Sequence, residues 1–376
     1  MGTCCKKKIN DINALDEYIL NDEEDLLSKK LSFHDFTKLK FLGRGSFGEV
    51  LLVKLKLNNK YYAMKILVKK QVKMRHQEAH TKTERDIMVK INCPFIVNIK
   101  FAFQDYKKLY IITEFMQGGP IYFHLNKDKK FSSEKTKFYI IELILAIEYL
   151  HKNKMIYRDL KPENIMVDST GHIKLTDFGL SKIFNKASEK AFTMCGTPQY
   201  LAPEILSKEG YDYSVDWWSL GCVMYEMLVG KPPFQIRKGS YLSPELYQQE
   251  ITLPDYITQE EKDFISQLLI VDPKKRLGYG KEGAKKIKEH PYFEGINWEE
   301  AWERKLNPPL IPSLSSETDL SYFDPKFTDE KIEDSSDISE VRSTIISQTN
   351  NYRGFTFIRN SANIELIDMK KTEDNN

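Results

Sequence analysis

The run YRDLKPEN at 157–164 sets a carboxylate, an ammonium and an amide at fixed offsets in one loop, an arrangement that packing alone does not call for. Asp159 can accept or orient a hydroxyl proton, Lys161 can neutralise charge on a phosphoryl group in transfer, and Asn164 offers an oxygen to magnesium. Asp177, in LTDFGL, supplies a second metal-binding oxygen. GRGSFGEV at 43–50 lies between two apolar runs, so Gly43, Gly45 and Gly48 allow a tight hairpin whose amides approach phosphate oxygens closely. A lone GxGxxG also suits a Rossmann dinucleotide site, but that fold wants a helix directly afterwards and an acid about 20 positions on. Here a strand-like run follows, and then Lys65. Lys65 in YYAMKIL shares a strand face with Ala63 and needs an anionic partner to offset its desolvation. Glu84, in a helical run near 76–91, is the natural partner, and the pair would hold the ammonium toward the α- and β-phosphates of a nucleotide. Taken singly, each of these two residues reads better as a surface charge.

Two kinds of segment must position these groups. From Phe36 to Phe115 the runs LKFLGRG, EVLLVKLKL, YYAMKIL, NIKFAF and KLYIITEF read as strands, interrupted by one helix. From Met116 to Phe293 the spacing turns helical, as in Ser133 to Lys152 and Ser214 to Leu228. After Glu294, Pro308, Pro309 and Pro312 with many acidic and serine residues mark an extended tail that needs a surface to lie on. Strands and helices therefore segregate rather than alternate, which argues against a Rossmann sheet.

Composition narrows the classes. The chain has 376 residues, 41% hydrophobic and 12% aromatic, which suits one large two-lobed domain with appendages. Lysine plus arginine total 56 against 54 acids, a balance that gives no field favouring nucleic acid. The five cysteines are odd in number and scattered, which reads as a reducing, cytoplasmic setting without disulfides. The longest apolar stretches, such as Ile140 to Ile147 around Glu142, fall short of the roughly 18 to 20 residues needed to cross a bilayer.

GRGSFGEV, YAMK, YRDLKPEN, DFG and Ala202-Pro203-Glu204, in that order, resemble the eukaryotic protein kinases, with Arg276 placed to pair with Glu204. The resemblance covers 36–293 and implies an α+β, two-lobed fold. A small antiparallel lobe with one regulatory helix would span 36–116 and a mainly helical lobe 117–293, flanked by an extension over 1–35 and a tail over 294–376. It implies ATP with Mg2+ in the cleft, the metal held by Asn164 and Asp177, and transfer of the γ-phosphoryl group to protein substrates. Nucleotide contacts would come from Leu42, Gly43, Arg44, Gly45, Ser46, Phe47, Gly48, Glu49, Val50, Ala63, Lys65 and Glu84, from Thr113 behind the adenine, and from Glu114 and Met116 at the hinge. Lys161 looks like the serine/threonine branch. Tyr157 in place of histidine, MCGTPQYLAPE and the tail resemble the AGC group of the Akt, SGK and PKC type, with Gln199 standing where glutamate is usual.

Within that group, Thr193 stands where an upstream kinase phosphorylates the activation segment, and Arg158, Lys182 and His80 are placed to meet the phosphate. YRGFTF at 352–357 is similar to the hydrophobic motif, with Phe355 and Phe357 as anchors and Thr356 as phosphosite, and Phe323 to the tail residue that closes over the nucleotide. Ser335, Ser336, Ser339, Ser343 and Thr344 compete as the turn phosphosite. Glu163 and Glu226 match acids that meet basic side chains of the substrate, whereas Pro120 replaces a third acid and removes a ribose contact. Met1-Gly2 with Cys4, Cys5 and three lysines looks like an acylated start that would place the chain at a membrane surface, except that Lys6 stands where serine or threonine is wanted. The alternative there is a solvated basic start with two ordinary thiols. For the whole chain, the alternative to an active kinase is a catalytically silent adaptor of the same fold; Lys65, Asp159, Asn164 and Asp177, all present, discriminate against it.

Overall fold

The computed structural model describes residues 31–45, 48–186, 189–207, 209–235, 244–332 and 352–359. Gly2, Cys4, Cys5, Ser46, Phe47 and the turn-phosphosite candidates Ser335, Ser336, Ser339, Ser343 and Thr344 lie outside them.

The chain forms strands β1 (Phe36–Arg44), β2 (Gly48–Leu55) and β3 (Tyr61–Val68), helices α1 (Lys69–Met74) and α2 (Glu78–Lys90), then β4 (Ile99–Gln104) and β5 (Lys108–Glu114). Helices α3 (Ile121–Asp128) and α4 (Ser133–Lys152) follow, with the short strands β6 (Met155–Ile156), β7 (Ile165–Val167), β8 (Ile173–Leu175) and β9 (Lys182–Ile183). The remainder holds α5 (Ser214–Val229), α6 (Gln259–Leu268), α7 (Gly283–Lys288), α8 (Trp298–Trp302), α9 (Pro325–Thr328) and β10 (Phe357–Ile358).

Among the described residues, one compact unit holds 31–45, 48–78, Asn98–Phe115, 325–332 and 352–359. Its sheet runs β1-β2-β3-β5-β4-β10 with antiparallel neighbours throughout. In β3 the side chains alternate strictly, so Tyr62, Met64 and Ile66 enter the core with Phe36, Phe41, Val53 and Phe101 while Ala63 and Lys65 take the other face. A Cβ at Gly48 would stand 1.8 Å from the Ile66 carbonyl oxygen, so that glycine is dictated by the approach of β3. Tail residues Phe327, Ile332 and Ile358 pack against the same core.

The second unit takes Ala79–Val97 and Met116–Asp324 and is mainly helical. Helix α2, expected with the sheet, therefore belongs to this unit from Ala79 on. Helix α4 starts at an N-cap, Ser132, whose hydroxyl accepts from the Lys135 amide at 3.2 Å. Helix α5 is buried from Ser214 to Leu228 and stops at Gly230, which has φ 85°. These are the sheet and helical parts of the expected α+β kinase fold.

The anticipated Glu204–Arg276 pair is present and bidentate, at 2.6 and 2.9 Å, and Arg276 also donates to the Ser214 and Ile270 carbonyls. Both side chains are shielded from water, so removing one strands a charge. Arg276→Leu should lower stability by about 3 to 5 kcal/mol, and Arg276→Leu with Glu204→Leu should lose less than the single change. Denaturant unfolding measures both.

Candidate active site

The catalytic loop hangs from one carboxylate. Asp216 on α5 has no solvent exposure, and its oxygens accept from the amides of Tyr157 (3.0 Å) and Arg158 (2.8 Å) and sit 2.8 Å from His151 Nε2. Arg158 is thereby held at φ 72°, a left-handed conformation that a side-chain-bearing residue adopts at a cost. Sequence reasoning missed Asp216; the signal was an acid inside the otherwise apolar helical run SVDWWSL, where burial demands partners.

Three expected residues converge just beyond. Asn164 Nδ2 donates to the Asp159 backbone oxygen and to its Oδ2, both at 2.9 Å, and Lys161 Nζ lies 3.0 Å from Oδ2. Thr197, read from sequence only as a landmark, donates its hydroxyl to Asp159 Oδ1 at 2.7 Å and accepts from Lys161 Nζ at 2.8 Å. Asp159 and Lys161 thus already embrace a hydroxyl. Because both amide hydrogens of Asn164 go to Asp159, its carbonyl oxygen is left as an acceptor. The pairing of β7 with β8 brings Asn164 beside Thr176, whose amide donates to the Asn164 backbone carbonyl, not to the side-chain oxygen, at 3.0 Å, and the next residue is the exposed Asp177 at φ 57°. One amide oxygen and one carboxylate make a hard-oxygen donor set that fits a magnesium ion retaining phosphate and water ligands. Glu84 on α2 is buried near this turn: a Cβ on Gly179 would lie 3.6 Å from Glu84 Oε2.

The activation segment is tied to the same loop. Arg158 is buried and donates to the Leu180 carbonyl at 2.5 Å and to Tyr211 Oη at 3.0 Å, and that hydroxyl donates to the Thr193 carbonyl at 2.6 Å. Tyr211, also missed from sequence, pairs with Ala191 as an isolated bridge. The Thr193 side chain is exposed. Burial and the Arg158 charge hold His80 below the usual imidazole range. Lys182 pairs with Glu189 at 2.9 Å. Elsewhere in the unit Glu226 accepts from Tyr200 Oη at 2.5 Å, and burial, reinforced by the Glu163 charge, pushes its carboxyl up to about 7.

In the sheet unit, Gly45 donates to the Gly48 carbonyl at 2.9 Å and closes the β1–β2 turn, and open space surrounds Gly43 and Gly45. Leu42 and Arg44 lie on β1, and Glu49 and Val50 face Arg44 and Gly43 from β2. Lys65 is paired in register with Val50 and Ile111, and Ala63 with Thr113. Glu114 Oε1 accepts from the Asn98 amide at 2.7 Å. Met116 and Phe323 are buried in the helical unit, so the sequence-derived nucleotide residues divide between the two units.

The tail motif adds β10 to the edge of β4, with Phe357 opposite Ala102 and Ile358 opposite Phe101. Phe355 is buried as expected and Thr356 is exposed, but the second deep aromatic is Tyr352 rather than the half-buried Phe357. Gln104 donates to the Tyr352 carbonyl at 2.8 Å, and Lys69 Nζ stands 5.4 Å from its ring centroid.

A carboxylate and an ammonium closed on a hydroxyl, beside two oxygen donors, are groups of the kind that phosphoryl transfer uses. A protein kinase domain model matches residues 36–293, and a protein kinase C terminal domain model matches 314–357. A RAC family serine/threonine-protein kinase homolog of Dictyostelium discoideum is 40% identical over 357 residues, 93% of this chain and 79% of that protein. Protein kinase 2 of the same organism is 42% identical over 327 residues, covering 87% and 68%. The RAC-beta serine/threonine-protein kinase of Homo sapiens is 44% identical over 305 residues, covering 81% of this chain and 63% of that protein. The chain belongs to the protein kinase family and, within it, to the AGC serine/threonine kinases.

Among the described residues the buried Tyr352 hydroxyl has no hydrogen-bond partner, and burial pushes its pKa up to about 12. An unsatisfied buried hydroxyl costs about 1 to 3 kcal/mol, more than phenylalanine would lose in its contact with Lys69. Tyr352→Phe should therefore seat the motif more firmly, seen as slower amide exchange at Phe355 and Phe357.

Proposed function

We propose that the chain is an active enzyme that moves the γ-phosphoryl group of ATP to serine or threonine hydroxyls of protein substrates. The observation that carries this reading is the Thr197 hydroxyl held jointly by Asp159 and Lys161, the contacts that an acceptor hydroxyl and its incoming phosphoryl group would need. Asp159 orients the acceptor hydroxyl and takes its proton, and Lys161 offsets charge on the phosphoryl oxygens. Magnesium held by Asn164 and Asp177 would neutralise the β- and γ-phosphate oxygens. Lys65 and the glycine-rich β1–β2 turn bind the triphosphate, with Thr113, Glu114, Met116 and Phe323 serving the nucleoside. A silent adaptor would have no use for this set of contacts.

Regulation follows from the ties of Arg158. A phosphate placed on exposed Thr193 by an upstream kinase would meet Arg158 and His80, the latter gaining a proton beside the new anion, while Lys182 would have to leave Glu189. Thr356, at the start of β10, is the second regulatory phosphosite, and docking of Tyr352, Phe355 and Phe357 favours the active sheet edge. Acylation of Gly2, Cys4 and Cys5 would give peripheral membrane attachment; no described helix is long and apolar enough to cross a bilayer.

Substrate choice rests on acids. Glu163 and Glu226 act on each other electrostatically, which supports recognition of a basic side chain near the acceptor, and Pro120 weakens the demand for arginine three residues upstream. Glu226 is neutral below about pH 7 and ionised above it. The kcat/KM for an arginine-bearing peptide should therefore fall from pH 8 to pH 6, where about one Glu226 in ten stays ionised, while a peptide without basic residues changes little. Glu226→Gln should give a low, flat profile; a wild-type profile as flat as the variant's would remove Glu226 from recognition.

The primary test is magnesium-dependent transfer from ATP to basic serine and threonine peptides, by wild type phosphorylated on Thr193 and by Asp159→Ala. Transfer lost in the variant by at least a thousandfold is expected. No transfer from the phosphorylated wild type would favour the adaptor.

A further inference from the structure

The tail between Pro312 and Phe323 forms a clasp on the helical unit. The Ser313 amide donates to Tyr322 Oη at 2.8 Å, and Gln117 Nε2 donates to the Glu317 carbonyl at 2.9 Å. The Tyr322 ring stacks on buried His124 with centroids 4.9 Å apart, and His124 Nε2 lies 2.7 Å from the Gly118 carbonyl oxygen. A Cβ on Gly118 would come within 2.8 Å of Pro312 Cγ, and one on Gly119, at φ +69°, within 2.3 Å of the Tyr322 carbonyl oxygen. The paired glycines are the seat of the clasp, and their backbone leaves no room for a side chain beneath it.

One carboxylate keeps the clasp folded. Asp319 Oδ2 accepts from the Ser315 amide (2.7 Å) and hydroxyl (2.6 Å), while Oδ1 accepts from the Ser321 amide (2.8 Å) and hydroxyl. These bonds hold the Asp319 carboxyl well below the usual carboxylate range. Ser321 is exposed and adjoins Tyr322. Between Pro312 and Pro325 the sequence carries Glu317, Asp319 and Asp324 and no lysine or arginine. That setting suits a cationic substrate cleft and opposes the acid-lined recognition proposed for this chain itself.

We propose that Ser321 is a phosphorylation site at which a second, acid-directed protein kinase opens the tail clasp. In the step, the Ser321 oxygen forms a bond to the γ-phosphorus of ATP as the bond to the bridging oxygen of ADP breaks, and the hydroxyl proton passes to the catalytic carboxylate of the modifying kinase. The product replaces a hydrogen-bond donor to Asp319 with a phosphate of roughly −1.5 to −2 charge, so an attraction becomes a repulsion between anions. Ser315 shares the carboxylate but has Thr318 three residues after it where Ser321 has Asp324, and Ser316, which has Asp319 there, does not place its hydroxyl on that carboxylate. Release of Tyr322 then frees His124 and the Gly118–Gly119 turn. The consequence for ATP use rests on the function proposed above, but opening of the clasp does not.

The experiment uses the full chain with Asp159→Ala, which removes self-phosphorylation, treated with ATP and an acid-directed kinase, followed by mass-spectrometric mapping and amide exchange. Phosphate on Ser321 and at least tenfold faster exchange across 313–322 and at Gly118 and Gly119 are expected. Ser321→Glu should reproduce the faster exchange, and adding Asp319→Asn to it should restore much of the protection because the repulsion is gone. Ser316→Glu, whose native hydroxyl contacts Thr318 and not Asp319, should leave exchange unchanged. In the active chain, Ser321→Glu should raise KM for ATP severalfold with kcat little changed. Failure to modify Ser321 while a free peptide of the same sequence is modified, or unchanged exchange in Ser321→Glu, would overturn the proposal. A chain that opens but never transfers phosphate would instead count against the enzyme reading alone.

Discussion

A carboxylate with no access to water, Asp216, is the constraint on which the active site depends. Left unpaired at that depth it would be prohibitively costly, so the chain must bring donors to it. It brings two consecutive backbone amides, those of Tyr157 and Arg158, and the His151 imidazole. Two adjacent amides can aim at one carboxylate only if the backbone bends sharply between them, and Arg158 supplies the bend with a positive φ. The next residue is Asp159. Burial of one acid on α5 thus sets where a different acid is presented.

The same bend throws the Arg158 side chain inward, where it binds the Leu180 carbonyl and the Tyr211 hydroxyl that in turn holds Thr193. The segment after DFG is consequently tied to the catalytic loop by the Arg158 guanidinium as well as by the Thr197 hydroxyl and the β6–β9 pairing. Such a connection is easily biased, because a new anion at Thr193 would compete for the same cation. The tail uses a different physical device. It is held by close backbone approach at Gly118, Gly119 and Gly171, by aromatic anchors at Tyr352 and Phe355, and by Phe327 against the sheet core.

Short-range signals made much of this legible in the sequence. The β3 alternation placed Lys65 on one face with Ala63, and the fixed offsets in YRDLKPEN named Asp159, Lys161 and Asn164 before any coordinates. What escaped depends on contacts between residues far apart in sequence. Thr197 lies 38 residues from Asp159, and Asp216 lies 58 from Arg158, so neither partnership has a local pattern. The assignment of α2 mainly to the helical unit is likewise a tertiary fact, expressed in Glu84 against Gly179. The depth of Tyr352 relative to Phe357 could not be read because both are aromatic; tertiary packing decides it.

Backbone strain marks two residues of the site. Arg158 and Asp177 both hold positive φ without being glycine, and each such residue costs about 1 to 3 kcal/mol. Positive φ is also held by Asn59, His76, Lys129, Lys154 and Arg304, and without penalty by glycines such as Gly119, Gly171 and Gly196. At 158 and 177 the strained turns carry a guanidinium that ties the activation segment and a carboxylate exposed beside Asn164. The two strained turns thus coincide with the points where the catalytic loop and the segment around Asp177 present charged side chains, which is where a fold that carries a functional site tends to store strain.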